Sequence, residues 1–262
     1  MNIDKKVIYY TNELEDEFSE AQIEPKVIDG SYSYEGGFWR QVGRVFVYNI
    51  VAKPFGYAFL KVKYGHKIIN RKLLKEVGKQ GFFLYGNHTN QFGDPFVPSM
   101  VCFPKGVYVV VHPNNVSMPV LGKFTPCLGA LPLPGNMEAA RNFNKAISHK
   151  IEQGKCVMIY PEAHIWPYYT KIRPFKDASF GYPITCGAKV FCFTNTYQKR
   201  RFRKTPRMVT YIDGPFEADS SLPVKKQKEM LRNQVYDAMV KASAKNNVEM
   251  IKYIKKEPED LQ

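Results

Sequence analysis

The chain has 262 residues, 44% hydrophobic and 24% charged, with a formal net charge of +14. That length and balance suit one sizeable domain with a buried core and exclude a disordered or fibrous chain. The excess of cations asks for an anionic partner: nucleic acid, a negatively charged membrane face or a phosphorylated substrate.

Residues 1–36 mix acidic groups (Glu13, Glu15, Asp16, Glu17) with Gly and Ser. They are expected to form a flexible acidic arm, and their polarity argues against a signal peptide. Residues 37–64 differ sharply in character. From Phe38 to Leu60 the chain is aromatic and apolar, interrupted only by Arg40, Arg44 and Lys53, and Pro54 with Gly56 predicts a break into two helices. An ordinary core helix is one reading of this segment. The other is a helix pair in the membrane interface, with rings in the acyl boundary and cations among the headgroups. The aromatic load and exclusively positive charge favour the second, and the same charges argue against a spanning helix.

Residues 65–220 alternate strand, loop and helix. Strands are predicted at Phe82–Tyr85, Gly106–Val111, Gly129–Leu133, Cys156–Tyr160, Lys189–Thr194 and Met208–Ile212. Met137, Ala140, Phe143, Ile147 and Ile151 recur at helical spacing, with Asn136 as N-cap and Gly154 closing the helix. Continuous apolar strands alternating with helices predict an α/β fold: a mostly parallel twisted sheet flanked by helices, preceded by the aromatic helical pair. Residues 221–262 should be a C-terminal helical extension with Leu231, Val235, Met239 and Ala242 on one face, fraying at its charged end. The five cysteines (Cys102, Cys127, Cys156, Cys186, Cys192) include no CxxC pair, so reduced thiols are expected.

Two strand ends deliver polar groups to loops. After Phe82–Tyr85, His88 leaves the strand end, and Asp94-Pro95 predicts a helix start with Asp94 as N-cap. A second strand, Cys156–Ile159, ends in Pro161-Glu162-Ala163-His164. Strand ends of α/β sheets are where ligands meet catalytic groups, and a histidine held by a carboxylate is suited to general-base work.

With Asn87, His88 and Asp94 in one loop and Pro161 and Glu162 in the other, the sequence resembles the glycerophospholipid acyltransferase family. That family carries an Asn-His-x4-Asp first motif and a Phe-Pro-Glu-Gly-Thr-Arg third motif. Softer matches are Pro119 and Gly129, Pro174-Phe175-Lys176, and the Lys189–Thr194 strand. Here five residues separate His88 from Asp94, similar to the branch containing the fungal glycerol-3-phosphate and dihydroxyacetone-phosphate acyltransferases. Ala163 and His164 replace the third motif's glycine and threonine, and the arginines of the second and third motifs have no counterpart.

The resemblance implies transfer of a fatty acyl chain from acyl-CoA or acyl carrier protein to a glycerophosphate-type hydroxyl, with lysophosphatidate as the first candidate. His88 would take the hydroxyl proton, and Asp94 would hold the ring by its other nitrogen. Glu162 would position the acceptor beside Asn87. Arg173, Lys176, Lys123 and His164 are the candidates for its phosphate. No metal or organic cofactor is expected. The location implied is peripheral, on an anionic membrane surface at the cytoplasmic face.

The altered second and third motifs leave a catalytically altered lipid-binding relative, or an acyltransferase acting on glycerol-3-phosphate or a glycolipid, as alternatives, and two rival readings remain in the residues. The basic run Lys199–Lys204 with Arg207 is a solvated turn or a headgroup contact; nucleic-acid binding has no accompanying signature. A metal hydrolase using His88, Asp94, His112, Glu162 and His164 lacks His-x3-His or His-Glu-x-x-His spacing.

Overall fold

In a computed structural model, residues 6–18, 24–119 and 121–256 are described. The strands are β1 (Lys6–Tyr10), β2 (Lys67–Ile69), β3 (Phe82–Gly86), β4 (Val107–Val111), β5 (Ala130–Pro132), β6 (Cys156–Ile159), β7 (Val190–Gln198), β8 (Arg207–Phe216) and β9 (Ile251–Lys255). Seven of them form one sheet in the order β2-β8-β7-β3-β6-β4-β5. Every neighbouring pair is parallel except β7 with β8. The mixed α/β class and its mostly parallel sheet are therefore as the sequence predicts.

The sheet sits where it does because its middle strands are apolar on both faces. β3 is buried at all five positions, between β6 and β7. Side chains alternate along a strand. Phe83 and Tyr85 meet Phe143, Ala146, Leu231 and Val235 in one core layer. Phe82 and Leu84 meet Leu60, Tyr64, Val97 and Val101 in the other. The first layer belongs to the helices α6 (Met137–Glu152) and α8 (Val224–Ser243). The second belongs to α2 (Lys53–Tyr64) and α3 (Val97–Cys102). Truncating a ring such as Phe83 to alanine, with no solvent on either side, would cost about 3–5 kcal/mol. Among the described residues the remaining α-helices are α1 (Phe38–Gly43), α4 (Asn114–Ser117), α5 (Leu121–Leu128) and α7 (Gly181–Cys186). Asn136 caps α6 by accepting from Ala139 N at 2.8 Å, and Gly154 follows the helix end at φ +70°.

Five expectations are corrected. The segment 37–64 is one helical run, not a pair: α1 passes into a π-helical stretch, Arg44–Ala52, and then into α2. A proline breaks a helix because it lacks an N–H and crowds the carbonyl four residues back. Here the preceding turns are wound wider, with bonds reaching five residues, and the chain passes Pro54 unbroken. Gly56 marks a close approach: a Cβ there would stand 2.5 Å from the Phe96 ring.

The cations of that run also point differently. Arg44 turns inward, donating to Val107 O at 2.8 Å with its guanidinium 4.0 Å from the Tyr108 ring centre. Lys53 lies 4.6 Å over Tyr48, and Arg40 donates to Ser33 O.

The described parts of the acidic arm are packed rather than loose. β1 pairs in parallel with β9, and Ile28 and Tyr34 are buried in the core. The tail is likewise more than a helix. α8 buries Leu231, Val235 and Met239 against the sheet, and Ile251–Lys255 is a strand; the expected fraying beyond Lys256 lies outside the described residues. Finally, the helix after the His88 loop starts at Val97, not Pro95. Asp94 is no N-cap, because its carboxylate is held elsewhere.

Candidate active site

The site begins where β3 runs out. Asn87 follows Gly86, and its side chain substitutes for the ladder: Oδ1 accepts from Asn195 N at 2.7 Å and Nδ2 donates to Asn195 O at 3.0 Å. That lock fixes the direction in which the chain leaves the sheet. The next residue, His88, keeps 17% of its side chain exposed. Its Nδ1 lies 2.8 Å from Oδ2 of Asp94, which is 1% exposed.

The carboxylate of this pair is held from several sides. Asp94 Oδ2 also accepts from Asn90 N at 2.9 Å, and Oδ1 accepts from Asn195 Nδ2 at 3.3 Å. Tyr160, at the end of β6, stacks on the imidazole at 4.2 Å and 14°, and its hydroxyl donates to Asp94 O at 2.7 Å. Because the carboxylate accepts, Nδ1 carries the hydrogen and the neutral ring presents a bare Nε2. No hydrogen bond engages Nε2 among the described residues.

Behind Asp94 runs a buried polar chain that sequence reasoning missed. Thr210 Oγ1 donates to Asn195 Oδ1 at 2.6 Å, so its oxygen accepts from His66 Nε2 at 2.8 Å. Burial, with Lys61 nearby, pulls the His66 imidazole down to about 4, so it stays neutral. A signal existed: Thr194-Asn195-Thr196 places three polar residues inside a strand buried at all but its last position. Buried polar side chains require partners, so such a run points to a network.

Glu162 is buried and faces inward. Its two oxygens accept from His88 N at 3.0 Å and from Arg173 N at 2.9 Å. Burial raises its carboxyl above the ordinary range, outweighing the Arg173 guanidinium and those two amides. Arg173, 1% exposed, lies 3.8 Å from Glu162 Oε2 and donates to Glu162 O, His164 O and Glu13 O. Its guanidinium rests 4.8 Å from the Trp166 ring centre.

The structure places Glu162 and Arg173, expected at the acceptor and its phosphate, in a buried pair beneath the His88 loop. Both side chains join the third-motif loop to the His88 loop, and Arg173 Nε is buried without a hydrogen-bond partner. Asn87 is likewise a backbone lock. His164 is half-buried with Nδ1 3.5 Å from Glu17 Oε2, while Lys123 on α5 and Lys176 are exposed. Among the described residues no group of three or more His, Cys, Asp or Glu side chains converges as a metal site would require.

A carboxylate-braced imidazole at the end of a parallel strand, with its outer nitrogen unengaged, is equipped to take a proton from an attacking hydroxyl. A family model described as Acyltransferase matches residues 62–194, half of the chain, and takes in Asn87, His88, Asp94, Glu162 and Arg173. The protein is thus an acyl-transferring enzyme. More particularly, the chain belongs to the Acyltransferase family. A solved structure of similar fold is the 1-acyl-sn-glycerophosphate (LPA) acyltransferase PlsC from Thermotoga maritima. It matches with a TM-score of 0.57 and 14% identity over 80% of this chain and 85% of that one. No curated protein matches the chain.

Proposed function

We propose that the protein moves a fatty acyl chain from an acyl thioester, acyl-CoA or acyl carrier protein, to a hydroxyl of a glycerophosphate-type acceptor. Lysophosphatidate giving phosphatidate is the foremost case. The observation that carries this reading is the 2.8 Å contact between His88 Nδ1 and Asp94 Oδ2 with Nε2 left open. The family match and the fold shared with a lysophosphatidate acyltransferase support the choice of substrates.

The step balances without a cofactor. The acceptor hydroxyl gives its proton to Nε2 of His88 as its oxygen attacks the thioester carbonyl. The tetrahedral adduct collapses, expelling the thiolate, and the imidazolium returns the proton to sulfur. Asp94 holds the ring in the required tautomer and stabilises its charge. Glu162 is a positioning residue that holds the His88 amide. His164, Lys123 and Lys176 are left as the groups able to meet the acceptor phosphate.

The helical run over 38–64 exposes Phe38, Trp39, Phe46, Ile50, Phe55 and Tyr57. Such a face suits a peripheral seat in the bilayer interface, on the cytoplasmic side, where a lipidic acceptor resides. No described helix is long and apolar enough to cross a membrane. Purified protein given acyl-CoA or acyl carrier protein thioester with lysophosphatidate should form phosphatidate, detected by mass spectrometry, and His88→Ala should not. Equal product from His88→Ala would sink the reading.

A further inference from the structure

The loop joining β7 to β8 folds back on the end of α2. Arg200 donates to Lys63 O at 3.1 Å and Arg203 to Val62 O at 3.1 Å. Two guanidiniums thus cover last-turn carbonyls, where a helix carries partial negative charge. Each has five N–H donors, so one bond leaves most of them free. With Lys61, Lys199, Arg201 and Arg207 they line a concavity of about 590 Å³ that contains no carboxylate.

None of these six cations is ion-paired among the described residues. Partial burial, and then the neighbouring Arg203 and Arg207, lower the Arg200 guanidinium below its ordinary value. Like charges held together without compensation mark an anion's place.

The concavity opens at the same end of the sheet as His88. β3 and β7 are parallel with Gly86 opposite Phe193, so the loops after both strands share one side. Tyr197, two residues before Lys199, hydrogen-bonds the hydroxyl of Thr89 at 3.0 Å, and Tyr64 at the end of α2 reaches Asn90 Oδ1 at 3.3 Å. Apolar groups stand among the cations. Phe202 is 86% exposed with Arg201 5.1 Å over its ring, and Val62, 69% exposed, continues the bare face of the 38–64 run. Cations beside exposed apolar side chains match a bilayer surface, where rings reach the acyl boundary and charges the phosphates.

We propose that this concavity binds the phosphate of an anionic phospholipid headgroup and seats the protein with the His88 end of the sheet toward the lipid. The proposal rests on the function above only for the choice of lipid. Binding is read without turnover, so the two can fail separately.

The test is sedimentation of the full chain with phosphatidylcholine vesicles containing about one-fifth phosphatidate, against phosphatidylcholine alone. Lys199→Gln with Arg201→Gln removes two cations whose side chains make no structural hydrogen bond among the described residues. Each near-surface cation contributes about five-fold, so partition onto phosphatidate vesicles should fall about twenty-five-fold. Raised salt should weaken wild-type binding, and Phe202→Ser should weaken it further. Arg200→Lys with Arg203→Lys, which keeps charge but loses the guanidinium forks, should retain most binding and separates charge from misfolding. Wild-type binding by the Lys199→Gln, Arg201→Gln protein overturns the proposal. So does tight binding of adenosine 3′,5′-bisphosphate that the double variant loses while its vesicle binding stays unchanged, because the site would then serve a soluble phosphate such as the nucleotide end of coenzyme A.

Discussion

The loops after β3 and after β7 open on the same side of one sheet and are built on opposite principles. Around His88 the polar side chains are linked in one hydrogen-bonded chain, from Asn87 locked to Asn195 through to His66 beyond Thr210. Around Arg200 six cations stand with no carboxylate among them. The first arrangement fixes a single geometry before any ligand arrives, which is how electrostatic catalysis avoids reorganisation. The second leaves charge unsatisfied at the surface, where a diffuse anion can complete it. Under the functions proposed for them, rigidity belongs to the chemistry, and unpaired charge belongs to the encounter.

The comparison breaks most readily at Asp94. Asp94→Asn keeps the shape but favours the wrong imidazole tautomer, and by analogy with catalytic triads the turnover rate should fall on the order of 10⁴-fold. Steady-state acyl transfer with circular dichroism of the same preparation checks it, and a loss under ten-fold would mean that Asp94 does not set the tautomer of His88.

Next in size is the buried pair behind the loops. Arg173→Met leaves Glu162 without its guanidinium and should cost about 3–5 kcal/mol in denaturant unfolding. Adding Glu162→Gln should recover part of that loss; no recovery would show that Arg173 acts through Trp166 alone.

Acid sharpens the contrast. His66 sits at about 4 in the folded chain against about 6.5 when unfolded, so the unfolded state binds its proton more readily. Its contribution is full above pH ~6.5 and is lost as pH falls towards ~4, a change on the order of 3 kcal/mol. Unfolding free energies measured across that window should slope for wild type and flatten for His66→Gln.

The smallest effect is expected at the basic loop. Lys199→Gln with Arg201→Gln should alter stability by no more than about 0.5 kcal/mol, because these side chains are exposed and brace nothing. A large melting shift would mean that the loop is structural.

The sequence carried the sheet better than the joints between its parts. β3 and β6 were legible as unbroken apolar runs, and Asn136 as a cap, because each signal is local. The unbroken passage through Pro54 was not, since a single proline looks the same whether the preceding turns are tight or wide. Asp94 shows the limit at the site. A carboxylate before a proline has a local reading as a helix cap, but its partner is chosen by what the fold brings near, here His88, Asn90 N and Asn195. Glu162 and Arg173 read as groups for the acceptor and its phosphate, since nothing along the chain reveals that both are buried.

The pairing of β1 with β9 imposes an order of events on the nascent chain. The last strand of the larger sheet ends at Phe216 and its covering helix α8 at Ser243, whereas Lys6 must wait for Ile251 to leave the ribosome. Until then Tyr253 cannot stack on Trp166, the floor beneath Arg173, so the Glu162 loop is the last part of the catalytic end to set. Chains stopped at residue 250 should accordingly be clipped by protease at 6–18 and 163–170 well before the sheet yields.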